Sequence, residues 1–163
     1  MNLEQHKLDT IIHECRQHVL RLNYASDKMS LFMPLTLASY QSLTADEVGY
    51  IDQFLFRFAK LQDTLGQKLF KQTLIMLGEY TETMPLIDIL NKLEKLEIIE
   101  LRSKWEDLRK IRNKLTHDYE CLPNIAAAII NEVYDNLGLL IIFFERIYNY
   151  LIAKGVLTDV AEA

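Results

Sequence analysis

The 163-residue sequence is poor in the residues that break or turn a chain, with only five glycines and three prolines. This scarcity predicts long helices joined by few loops. Two cysteines, Cys15 and Cys121, are too few and too far apart for a disulfide framework or a zinc cage. We therefore expect a reduced, cytoplasmic setting and a single domain, residues 1–163, that folds without disulfides or metal.

Long hydrophobic runs are also missing. The most apolar run, residues 137–144, is flanked by charged residues and is far shorter than the roughly 20 residues that span a bilayer. Residues 1–7 lack a basic start followed by an apolar stretch, as a secretory signal would have. The sequence therefore predicts a soluble protein without a membrane contact.

Apolar residues recur at helical spacing in five stretches, which predicts an all-α, up-and-down bundle of about five helices. The predicted helices cover residues 3–22, 44–77, 85–99, about 100 to before Pro123, and 124–153. Thr44 and Glu47 form a capping box, Gly66 is a point of close packing, Gly78 is a natural stop, and Asn124 is a cap. The fifth helix is apolar on nearly every side, which places it at the bundle centre or in a dimer interface.

Residues 23–43 do not follow this periodicity, and Pro34 prevents a long uninterrupted helix there. The stretch is too apolar for a free linker. We expect either a covering segment with a short helix or an arm that packs on a second subunit.

Three histidines, His6, His13 and His18, lie on the first predicted helix. Their spacings do not place two imidazoles on one face at i and i+4, as a helical metal motif requires. We therefore expect neither a metal site nor a cofactor.

Basic charge is concentrated in one segment. The whole chain carries a net charge of −5, whereas residues 102–114 hold six basic and two acidic side chains, a net +4. Such asymmetry fits a local site for an anionic ligand on a surface that otherwise repels polyanions.

The polar face of the fourth predicted helix lies within this basic segment. At about 100° per residue, one arc of the helix carries Trp105, Arg109, Arg112, Asn113, Thr116 and His117. Arg112 offers a forked cation that suits phosphate oxygens, and His117 can exchange a proton near neutral pH. Because the helix must end before Pro123, its dipole favours the protonated form of His117. Asn113, one turn earlier, could orient the His117 ring or hold a ribose hydroxyl.

The string from Arg112 to Tyr119, Arg-Asn-Lys-Leu-Thr-His-Asp-Tyr, resembles the Arg-x4-His-x-Tyr motif of the HEPN superfamily. It is most similar to HepT-like toxins that are paired with minimal nucleotidyltransferase antitoxins. The resemblance covers the motif and the helical body from about residue 44 to 153. It implies a HEPN-like bundle, a metal-independent endoribonuclease, a homodimer whose two motifs face one cleft, and an antitoxin partner that silences the toxin by adenylylating Tyr119.

On this reading the chain cleaves RNA by attack of a ribose 2′-hydroxyl on the adjacent phosphorus, giving a 2′,3′-cyclic phosphate. Arg112 stabilises the phosphorane, His117 transfers protons and Asn113 positions the reacting groups. Arg109, Lys114 and Thr116 bind the substrate.

Other readings of the same residues remain open. The chain could be a non-catalytic helical subunit that binds a nucleotide or a nucleotidyltransferase, which its acidic balance favours. It could be a plain dimerisation or regulatory module. Arg112 and His117 could be ordinary helix-end groups, and Tyr119 an amphipathic ring that covers a joint between helices.

Overall fold

The structure, a computed structural model, describes residues 2–116 and 122–158. Within these ranges it is helical and has no β-strand, which confirms the predicted all-α class. The helices are α1 (Leu3–Met29), α2 (Leu37–Gln41), α3 (Ala45–Thr64), α4 (Phe70–Met76), α5 (Leu86–Lys95), α6 (Arg102–Thr116), α7 (Pro123–Asp135) and α8 (Leu137–Ala153). A π-helical turn, Leu65–Leu69, joins α3 to α4. One hydrophobic cluster draws buried side chains from every helix except α2.

The first helix is longer than predicted. It begins after Asn2, whose side chain accepts a hydrogen bond from the Glu4 amide at 2.9 Å. It continues past the expected end at Leu22 because Ala25 and Met29 extend the buried stripe. The irregular segment predicted for residues 23–43 therefore begins only at Ser30.

This irregular segment covers α7 of the same chain. The Leu35 amide donates to Asn131 Oδ1 at 2.7 Å, and Asn131 Nδ2 donates to the Leu35 carbonyl at 2.8 Å. The short helix α2 follows and also packs on α7. The segment thus contains a short helix and packs on its own chain, and an arm that packs on a second subunit stays a prediction.

The second predicted helix is confirmed at both ends. Thr44 and Glu47 form the capping box, with the Glu47 amide donating to Thr44 Oγ1 and the Thr44 amide donating to Glu47 Oε1. The helical run ends at Met76, and Gly78 adopts a φ of +71°, which glycine adopts without steric cost. The π-helical turn within this run was not predicted.

The later helices differ from the prediction at three boundaries. The helix expected over 85–99 ends at Lys95, and Ile98 and Ile99 enter the core from a turn in which Glu97 has a φ of +59°. The helix expected over 124–153 is interrupted at Asn136, whose side chain donates to the Glu132 carbonyl at 2.8 Å. Asn124 is not a cap, because the helix begins one residue earlier at Pro123, a favoured first helical residue.

Taken together, α7 and α8 form a 31-residue stretch, Pro123–Ala153, with a window of mean hydropathy 1.5. Among the described residues this stretch is long and apolar enough to cross a membrane by length and composition alone. Core helices of soluble proteins meet the same criteria but are mostly buried, whereas only 28% of this window is buried inside the protein. The absence of a membrane contact stays a prediction.

Candidate functional site

A surface groove of about 310 Å³ lies between the end of α3, the π-helical turn, the start of α5 and the polar side of α6. Its volume lies in the range of small-molecule sites. The described residues that line it are Gln62, Asp63, Gly66, Gln67, Leu86, Trp105, Arg109, Arg112, Asn113 and Thr116. They include two guanidinium groups and one carboxylate, so this lining has a net charge of +1.

Four of the predicted site residues meet in this groove. Arg109, Arg112, Asn113 and Thr116 all line it, as expected for residues on one arc of a helix. The Thr116 hydroxyl donates to the Asn113 carbonyl at 2.8 Å, which ties the last described turn of α6 to itself. The polar arc is therefore one wall of a concave surface.

Lys114 does not line this groove, and its predicted role in substrate binding stays a prediction. Its ammonium group is 2.8 Å from Glu132 Oε2 on α7. The reason is geometric, because Lys114 is about 200° around the helix from Arg112.

Trp105 was predicted on the polar arc of this helix, opposite the packing face, but it packs in the core. Its side chain is buried, with 2% exposure, and forms the floor of the groove. The indole meets the Phe70 ring edge-on at 4.6 Å and the Phe143 ring at 5.3 Å between centroids. These contacts fix the indole in the core.

The π-helical turn brings the backbone against this indole. A Cβ on Gly66 would lie 3.0 Å from Trp105 Cζ2, so only glycine fits without a shift of the ring. π-helical turns are frequent at functional sites. The close packing predicted for Gly66 is confirmed, and Trp105 is its partner.

Arg112 is held by a carboxylate from the facing helix. Its Nη2 lies 3.2 Å from Asp63 Oδ2 and its Nε lies 3.4 Å from Asp63 Oδ1, a fork-to-fork pairing. Both side chains are partly exposed, at 26% for Arg112 and 34% for Asp63. The pair orients the guanidinium along the groove and offsets part of its charge.

Arg109 is the more accessible cation. Its side chain is 52% exposed, and its Nη1 lies 3.5 Å from Glu106 Oε2, one turn back on α6. Exposed pairs of this kind contribute little and yield readily to another anion. Arg109 at the rim and Arg112 within the groove thus provide two guanidinium groups for one anionic ligand.

Two predicted residues, His117 and Tyr119, lie outside the described residues. The described part of α6 ends at Thr116, immediately before His117.

Several lining residues were not identified from the sequence: Gln62, Asp63, Gln67 and Leu86. One signal was present, because Gln62 falls one turn after Phe58 in an otherwise apolar stripe. A polar residue at a core position is a reason to expect a partner or a site.

No metal cluster is found in the part of the chain that the structure describes, where no three His, Cys, Asp or Glu side chains converge. Cys15 is buried, and burial raises the pKa of its thiol to about 12, so this cysteine is not a reactive thiolate.

No protein-family model, no curated protein and no solved structure matches this chain.

Proposed function

We propose that the chain is a metal-independent endoribonuclease of the HEPN-like type, acting as the toxin of a toxin–antitoxin pair in the cytoplasm. One observation carries the proposal: Arg112, Asn113, Arg109 and Thr116 line a single groove with a positively charged lining, on a chain whose net charge is −5. The resemblance of residues 112–119 to the Arg-x4-His-x-Tyr motif supplies the reaction.

In this proposal Arg112 binds the scissile phosphate and stabilises the negative charge that develops on it. His117 takes the proton from the ribose 2′-hydroxyl or gives one to the leaving oxygen. Asn113 positions the ribose, and Arg109 and Thr116 hold the neighbouring backbone. The attack forms a 2′,3′-cyclic phosphate and frees a 5′-hydroxyl without a metal ion.

Asp63 fits this mechanism as a partner that the phosphate displaces. Its two carboxylate oxygens accept hydrogen bonds from Arg112 Nε and Nη2, which fixes the direction of the guanidinium. A phosphate that approaches from the open side can exchange with one arm of the fork while the other stays paired. The guanidinium is thus oriented before substrate arrives, which lowers the entropic cost of binding.

The proposed partners are a second copy of this chain and a nucleotidyltransferase antitoxin. A homodimer would cover exposed apolar side chains on α7 and α8, such as Ile125 and Ile142. Adenylylation of Tyr119 would add a bulky anion two residues after His117 and would compete with RNA phosphate for the groove.

A second candidate is a non-catalytic subunit that binds a nucleotide or a nucleotidyltransferase. The Arg112–Asp63 pair favours it, because a guanidinium whose charge is partly offset binds polyanions more weakly. On this alternative the groove still binds a mononucleotide, but RNA is not cut.

The test is incubation of purified protein with RNA in the presence of a chelator. Arg112→Ala and His117→Ala should each lower the cleavage rate by about 100-fold or more. Lys110→Ala is the matched control, because Lys110 is an exposed cation on the same helix outside the groove lining. If His117→Ala cuts as fast as the unaltered chain, the endoribonuclease proposal is wrong.

A further inference from the structure

The groove floor contains two buried polar atoms without hydrogen-bond partners. Trp105 Nε1 is a donor and Gln62 Oε1 is an acceptor, and neither has a partner among the described residues. Both side chains line the groove, but their exposures are only 2% and 3% and the two atoms themselves are closed to solvent, so a ligand reaches them only after a side-chain shift. Buried polar groups are nearly always paired, so two orphans in one groove point to a ligand.

These two atoms lie deeper than the cations. Arg109 and Arg112 are 52% and 26% exposed, whereas Gln62 and Trp105 are almost fully covered. A ligand that satisfies both layers needs an anionic group for the rim and a neutral group with hydrogen-bonding atoms for the floor. A phosphodiester of RNA cannot serve the floor alone, because it has no proton to donate to an amide oxygen.

A nucleobase meets the requirement of the floor. Every RNA base carries acceptors and donors on its edges and a flat face that packs on apolar side chains. The floor offers the indole N–H, the Gln62 amide and the apolar side chain of Leu86. The indole is packed against Phe70, Phe143 and Gly66, so the side-chain shift that opens the floor must come largely from Gln62.

We propose that Gln62 and Trp105 form a nucleobase-reading floor beneath the phosphate-binding guanidinium groups, and that this floor gives the enzyme a base preference next to the cut phosphate. This inference rests on the proposed function for the identity of the substrate. It assigns specificity to two residues outside the motif: Trp105, two turns before Arg112 on α6, and Gln62 on α3, a helix that carries none of the motif.

The experiment uses the full chain and its single tryptophan. The indole N–H gives one signal in a nitrogen–proton correlation spectrum. That signal and the indole fluorescence are followed while AMP, CMP, GMP, UMP, ribose 5-phosphate or inorganic phosphate is added. At least one nucleotide should bind roughly tenfold more tightly than ribose 5-phosphate and shift the indole proton.

Gln62→Met should abolish this preference by lowering nucleotide affinity to that of ribose 5-phosphate. Gln72→Met is the matched control, because Gln72 is also buried on the same helical run but donates to Glu4 instead of lining the groove. It should retain the preference even if it unfolds at a lower temperature. Thermal unfolding of both variants separates loss of binding from loss of fold.

Equal affinity for ribose 5-phosphate and all four nucleotides, with an unmoved indole signal, would overturn the inference. So would a nucleotide preference that survives in Gln62→Met. Both outcomes are independent of the proposed function, because binding is measured without cleavage. If RNA is cut without a base preference, only the nucleobase-reading role of Gln62 and Trp105 is wrong. If nucleotides bind with a base preference but RNA is not cut, only the proposed endoribonuclease activity is wrong.

Discussion

Gln62 and Gln72 are both buried on one helical run, but their side-chain amides differ in hydrogen bonding. Gln72 Nε2 donates to the Glu4 carbonyl at 3.1 Å and to Glu4 Oε2 at 2.7 Å, whereas Gln62 Oε1 has no partner among the described residues. An unpaired buried polar group destabilises the folded state, and a paired one does not. Such a difference is expected where function rather than stability selects the residue.

Gln62→Met should therefore leave the free energy of unfolding unchanged or raise it by about 1 kcal/mol, since it removes an unsatisfied oxygen at similar volume. Gln72→Met should lower it by about 1–3 kcal/mol, because the Glu4 acceptors lose their donor. Denaturant unfolding of both variants measures the difference. A Gln62→Met protein as unstable as Gln72→Met would mean that the Gln62 amide is satisfied in the free protein.

His18 is a buried titratable group outside the groove. Its Nδ1 accepts a hydrogen bond from Arg57 Nη1 at 3.1 Å, and its Nε2 lies 3.7 Å from Glu14 Oε1. Burial, followed by the nearby Arg57 charge, lowers the pKa of His18 from its ordinary value of 6.5, although Glu14 opposes this. Burial of Glu14 raises the pKa of its own carboxyl, but hydrogen bonds from Lys68 and Thr64 bring the net shift downward.

The sign of the pH effect follows from the lowered pKa. Below about pH 6.5 the unfolded chain binds a proton at His18, whereas the folded chain binds it only at a lower pH. The stability contributed by neutral His18 is thus complete above that pH and is lost as the pH falls towards the lower folded pKa. When thermal unfolding of the unaltered chain is measured at pH values from about 7.5 down to about 5.5, the unfolding temperature should fall with the pH.

His18→Gln should flatten this slope, because glutamine does not titrate. His13→Gln, at an exposed position on the same helix, should retain it. A His18→Gln protein with the full slope would exclude His18 as its source.

The π-helical turn at Leu65–Leu69 is the element that shapes the groove. It places Gly66 where an added Cβ would lie 3.0 Å from the indole, and that indole is packed between Phe70 and Phe143. Because the ring has little room to move, extra volume at residue 66 must distort the floor.

Gly66→Ala should lower the free energy of unfolding by about 1–3 kcal/mol and change the tryptophan emission. Gly49→Ala is the control within α3, because nothing lies within 4 Å of a Cβ there. It should stabilise the protein by about 0.5–1 kcal/mol through helix propensity. Denaturant unfolding followed by fluorescence gives both values, and equal stabilisation by the two substitutions would contradict the packing at Gly66.

For single helices, signals from neighbouring residues predicted the helix ends better than the breaks within helical stretches. The Thr44–Glu47 capping box and the stop at Gly78 depend on neighbouring residues and were confirmed. The break at Asn136 depends on one side chain turning back to the Glu132 carbonyl, within a sequence that is apolar on both sides. Periodicity alone does not distinguish that arrangement from a continuous helix.

Across the whole molecule, one wall of the groove could be predicted and the other could not. The arc of α6 follows from 100° per residue, so Arg109, Arg112, Asn113 and Thr116 were found together. Asp63 lies 49 positions before Arg112 in the chain, and its pairing depends on how α3 packs on α6. A single sequence contains no signal for that long-range contact.

The charge of the whole chain also sets how the groove would meet RNA. Residues 102–114 carry a net +4, so the rest of the chain carries −9. A polyanion would therefore approach along α6 and be repelled elsewhere, which orients it towards the groove. An acidic chain could therefore still bind RNA at the groove, as the proposed ribonuclease activity requires.

The most direct measurement of that chemistry is the identity of the RNA ends produced in the presence of a chelator. Mass spectrometry of the fragments should find 2′,3′-cyclic phosphates and 5′-hydroxyls from the unaltered chain and from Lys110→Ala, and neither from Arg112→Ala. Intact RNA after incubation with the unaltered chain, or the same fragments from Arg112→Ala, would contradict the account.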